Sequence, residues 1–79
     1  MDTITYKGYE IQAVPYRLAE SGDWAMKIII LHHRGDAVTT RDFYAHNRFK
    51  TENDAIQHCF DFGKKIIDGQ IPNCSINDL

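Results

Sequence analysis

His32 and His33 stand side by side ahead of Arg34-Gly35-Asp36, and the chain carries two further histidines and two cysteines. Such residues bind metal ions when their spacing brings them to one point, and Arg-Gly-Asp is a cell-adhesion tripeptide when displayed outside the cell. Neither reading survives the local pattern. Adjacent residues of a strand point to opposite faces, so a strand through residues 28–33 denies His32 and His33 a shared ion. The expected register places His46 opposite Ala25, roughly 20–25 Å from either of them at ~3.3 Å per residue. His58 falls on the polar arc of a helix and has Phe62, not a ligand, one turn later. No zinc spacing results, and no metal is expected. Gly35-Asp36 is turn chemistry, and no export signal gives the tripeptide an extracellular address.

The remaining reactive groups are equally plain. Cys59 lies on an apolar helical arc, where a free thiol behaves as a small hydrophobe. Cys74 lies in the C-terminal tail. A nucleophilic thiol needs a cation or helix end to lower its pKa, and His58 points away from Cys59 around the helix. The acids Glu10, Glu20, Asp36, Asp42, Glu52, Asp54, Asp61 and Asp68 fall mostly on turns or polar faces. No phosphate-cradling glycine loop is present. The expectation is a non-enzymatic protein without a cofactor.

Such a chain has little room for a pocket in any case. Its 79 residues make one small domain near the lower limit for a self-sufficient core. An apolar fraction of 43% with 25% charged residues is that of a soluble globular chain. A net charge of −2 argues against a nucleic-acid footprint, which is expected to be basic. Two cysteines without a signal peptide imply a reduced, cytoplasmic setting. The longest aliphatic run, residues 28–31, is far too short to span a bilayer, so no membrane partner is expected.

The elements follow from periodicity. "TITYKGYEIQAVP" alternates apolar and polar residues on both sides of Gly8 and predicts a hairpin, with Pro15 marking the end of pairing or an edge. "LAESGD" is a surface loop. "WAMKIIILHH" is the central strand, with Trp24, Met26, Ile28 and Ile30 on the core face and Lys27, Ile29 and Leu31 on the other. A two-residue turn at Gly35-Asp36, type II′ with glycine first, pairs Arg34 with Ala37, Ile28 with Phe43 and Met26 with Ala45. A three-residue turn would send Phe43 to the wrong face.

Thr51-Glu52-Asn53-Asp54 has the form of a capping box. After it, Ala55, Ile56, Cys59, Phe60, Phe62, Gly63, Ile66 and Ile67 fill one arc of a helix that Gly69 stops. Gly63 on that arc costs helix propensity, which predicts close approach of helix to sheet. The expected fold is α+β: a four-stranded antiparallel sheet of two hairpins with one C-terminal helix on one face (ββββα). The domain covers residues 1–70, and residues 71–79 form a tail.

Two surfaces could meet a partner. The face of the sheet away from the helix carries Lys27, Ile29, Leu31 and Tyr44, an apolar patch with a polar rim of the kind that marks an interface. Its partner is another protein or a second copy, in a homodimer, unless Ile71, Ile76 and Leu79 of the tail cover it instead. The second surface is basic: Lys7, Arg41, Arg48 and Lys50, interleaved with aromatics that stack on bases in single-strand binders. The leading expectation is a protein-interaction module, with a nucleic-acid-binding accessory as the alternative.

The combination Tyr6-Lys7-Gly8-Tyr9-x-Ile11, Pro15, Gly22-x-Trp24, Thr51-x-x-Asp54-Ala55 and Ile66-Ile67-Asp68 resembles the HlyU-like proteins and related uncharacterised small bacterial proteins. The resemblance spans residues 6–68. It implies a short antiparallel sheet with a C-terminal helix in a bacterial cytoplasm, and a transcription-related role for some members. The matching positions are a turn, core aromatics and helix ends, so no functional residue is carried over.

Overall fold

A computed structural model describes residues 2–76 and residue 79. The chain runs β1 (Asp2–Tyr6), β2 (Tyr9–Ala13), β3 (Tyr16–Arg17), β4 (Trp24–Arg34), β5 (Ala37–Phe49) and α1 (Glu52–Ile67). The strands form one antiparallel sheet, with the helix across one face. The architecture is α+β, as the periodicity predicts, but the sheet has five strands, not four. The cause is Pro15, which has no N–H to donate. The ladder breaks there, Val14 N still donates to Lys27 O at 2.9 Å, and Tyr16 and Arg17 resume pairing with Ala25 and Trp24. β2 and β3 thus lie end to end along one edge of β4, and β5 occupies the other.

The β4–β5 hairpin has the expected register: Arg34 opposite Ala37, Ile28 opposite Phe43 and Met26 opposite Ala45. Gly35 takes φ 60° while Asp36 stays out of the left-handed region, which is the II′ pattern. At the first hairpin both turn residues, Lys7 (φ 51°) and Gly8 (φ 85°), are left-handed, as a type I′ turn requires. Lysine bears a steric cost there that glycine does not.

One register expectation fails. His46 does not face Ala25; Arg48 does. Between the Ala25 and Met26 levels β5 holds two extra residues, His46 and Asn47, in a bulge. An even insertion preserves the alternation of faces, so the helix-side contacts of Ala45 and Phe49 are kept.

Ile11, Ile28, Ile30 and Ile66 are fully buried, and each contributes about 1.5–3 kcal/mol of transfer free energy. Met26, Phe43, Ala13 and Cys59 complete the centre of the core. Trp24, expected in the core, is only half-buried at the end of the sheet, opposite Arg17 and Phe49. Thr51 caps the helix by accepting from Asp54 N at 3.1 Å. At the other end Gly69 N donates to Ile66 O and Gln70 N to Lys65 O, the paired bonds of a Schellman motif.

The described residues of the tail do not cover the open face. Ile71, Cys74 and Ile76 pack against the core cluster and Leu79 is 4% exposed within it, all on the helix side. Two arginines on that face fix the path: Arg41 Nη1 donates to Ser75 O at 3.0 Å, and Arg34 Nη2 donates to Leu79 O. The helix packs mainly on β4 and β2, with lesser contact to β5 and β1, and the tail lies on the same side where Arg34 and Arg41 reach it.

Candidate interaction surface

Alternation from the buried residues assigns Glu10, Gln12, Lys27, Ile29, Leu31, His33, Asp42 and Tyr44 to the sheet face away from the helix. Ile29 and Leu31 are half-buried by their neighbours, whereas Tyr44 is 59% exposed. Among the described residues no helix or loop crosses this face. It joins the four residues expected from sequence: Lys27 lies opposite Tyr44, with its Nζ 5.6 Å from the ring centroid, and Ile29 lies opposite Asp42. Lys27 Nζ is 3.8 Å from Asp42 Oδ2. At the other end of the face His33 Nε2 donates to Glu10 Oε1 at 2.6 Å. Exposed pairs of this kind add little stability, but they give the patch both signs of charge around an apolar centre.

The alternative basic set is not brought together. Lys7 sits at the β1–β2 turn, while Arg48 and Lys50 lie near the opposite end of β4, roughly 25–30 Å away at ~3.3 Å per residue. Lys7 Nζ is 2.5 Å from Asp68 Oδ1, and Lys50 Nζ is 3.2 Å from Asp23 Oδ1. Arg41 faces the helix side and holds Ser75. Of the four, only Arg48 is presented on the open face, across from Ala25.

Three titratable groups are perturbed. The hydrogen bond from Lys7, followed by that from the Tyr6 hydroxyl, holds the Asp68 carboxyl below its ordinary range. The same contact with Asp68 raises the Lys7 ammonium. Burial pushes the Cys59 thiol up, which suits a structural thiol and not a nucleophile. His32 and His33 point to opposite faces: the first lies against Tyr9 with ring centroids 4.7 Å apart, the second pairs with Glu10. Among the described residues no three His, Cys, Asp or Glu side chains converge as metal ligands, and no helix is long and apolar enough to cross a membrane.

Sequence reasoning passed over Tyr16. Tyr16 is 44% exposed and directly opposes Ala25, so it shares the open face with Arg48. Its only sequence signal is its position after Pro15. The bulge, which no residue in "YAHNRF" announces, puts Arg48 in place of His46 opposite Ala25 and leaves His46 beside it. No family model matches the chain, and no curated protein or solved structure matches it. The resemblance to the HlyU-like proteins therefore rests on the residues that carry it.

Proposed function

We propose that this domain is a non-enzymatic interaction module that associates with a second copy of itself through the open face of the sheet. The observation that carries the reading is the path of the C-terminal segment. Its apolar residues pack on the helix side, so Ile29, Leu31 and Tyr44 keep an outward face that no described residue covers. A copy fits this face for two reasons. Lys27 with Asp42, and Glu10 with His33, place opposite charges close together, so two such faces meet without net repulsion. The molecule measures 41 × 26 × 17 Å, so its broad side can supply the roughly 800 Å² per partner of a standard interface.

Sedimentation velocity and light scattering test this directly. The wild type should form a dimer whose population rises with concentration, and Ile29→Asp should leave a monomer with an unchanged circular dichroism spectrum. A wild type that stays monomeric at millimolar concentration would overturn the reading.

A further inference from the structure

Two adjoining clefts of about 110 and 410 Å³ open at the Ala25 end of the bare face and share Leu18 and Arg48. Ala25 forms the floor of the smaller one, with Tyr16 on one side and His46 and Arg48 on the other. The wide spacing follows from the fold. Tyr16 and Arg48 flank Ala25 from opposite edges of β4, because the bulge in β5 brings Arg48 opposite Ala25 with His46 beside it. Among the described residues no carboxylate lies within ion-pair distance of Arg48. Glu20 lines the larger cleft without pairing with it.

The lining thus combines a guanidinium without a counter-ion, an aliphatic wall at Leu18, a small floor at Ala25 and a half-exposed tyrosine ring. A guanidinium fork matches a carboxylate in a bidentate pair, and the floor and wall match an aliphatic neighbour of that carboxylate. One arginine beside Glu20 suits a single negative charge better than a run of phosphates, which needs several cations. We propose that these clefts receive an acidic-aliphatic segment of a partner polypeptide, with its carboxylate on Arg48 and its apolar side chain against Leu18 and Ala25. The clefts lie on the same face as the self-association patch but rest on different side chains from Ile29 and Leu31, so failure of either reading leaves the other standing.

The test is a titration of isotope-labelled protein with an acetylated Leu-Asp repeat peptide, followed by amide correlation spectra. Control titrations use the Leu-Asn version of the peptide, sodium acetate and a single-stranded oligouridine. The Leu-Asp peptide should shift Leu18, Ala25, His46 and Arg48, and Arg48→Gln should weaken it about tenfold or more. Arg48→Lys keeps the charge without the fork and should fall between. The proposal is overturned by unmoved amides, or by equal binding of the Leu-Asn peptide. Acetate binding as tightly as the peptide, or oligouridine binding more tightly at Tyr16 and Tyr44, would overturn it as well.

Discussion

Gly63 of the helix rests directly on Ile11 of the sheet: a Cβ built at residue 63 would stand 2.7 Å from Ile11 Cγ2 and 2.9 Å from its Cδ1. Ile11 is fully buried, so its side chain has no free volume to move into. Gly63→Ala therefore pits a gain in helix propensity of about 0.5–1 kcal/mol against an overpacking cost of about 1–3 kcal/mol. The overpacking term should win, and urea midpoints should fall. In an Ile11→Ala background the obstacle is gone, and the same glycine substitution should become neutral or stabilising. A purely additive double-mutant cycle would show that the close contact does not set the helix position.

The contact between Gly63 and Ile11 is also a measure of what the sequence made legible. A glycine on an apolar helical arc has few explanations, and the capping box at Thr51 announced where that arc begins. Phe43 fixed the hairpin register because only one turn length puts it opposite Ile28. The less legible features depend on space, not on pattern. The bulge at His46 and Asn47 carries no glycine and leaves both faces in phase, so alternation could not reveal it. β3 is two residues long and exists because β4 extends past Pro15. The side chosen by the tail depends on how much of the sheet the helix covers and on where Arg34 and Arg41 reach, neither of which is written in residues 71–79. The Tyr16 and Arg48 clefts inherit this difficulty, since both β3 and the bulge are needed to build them.

Asp68, the helix C-cap, joins the first hairpin through Lys7 and Tyr6. A carboxylate at a helix C-terminus meets the negative end of the dipole, so its benefit depends on these partners. Its pKa is lowered in the folded state, so its contribution is present above the ordinary aspartate value of about 3.9 and is lost as pH falls through the lower folded value. The raised Lys7 pKa sets the other limit: its contribution holds below about 10.4 and is lost as pH rises through the folded value. The stability gap between wild type and Asp68→Asn should be flat from roughly pH 5 to 9, and should close in acid and in strong alkali. Added salt should shrink it, because Lys7 is 61% exposed. With Lys7→Met as background, Asp68→Asn should be neutral or stabilising. Denaturant midpoints across pH decide the matter, and a gap that does not shrink between about pH 5 and pH 2 would rule out the linkage.

The C-terminal segment should open on its own before the domain unfolds. Its described residues contain no regular element, and they are attached by apolar contacts and by bonds that include those from Arg34 and Arg41 to backbone carbonyls. Removing the Arg34 bond by Arg34→Ala should favour opening by about 1 kcal/mol, or roughly fivefold in the open population. Leu79→Ala should act in the same direction at a global cost near the low end of the 2–5 kcal/mol range for buried leucines, about 2 kcal/mol, because the residue lies at the margin of the core. The two cysteines report on the two levels of opening separately. Cys74 is half-buried in the segment, whereas Cys59 is fully buried beneath the helix with its thiol pKa pushed up by burial. Under native conditions a thiol reagent should label Cys74 several-fold faster in Arg34→Ala than in wild type, while Cys59 reacts only at the rate of global unfolding. Labelling rates that rise together at both cysteines would mean that the segment and the core open as one unit.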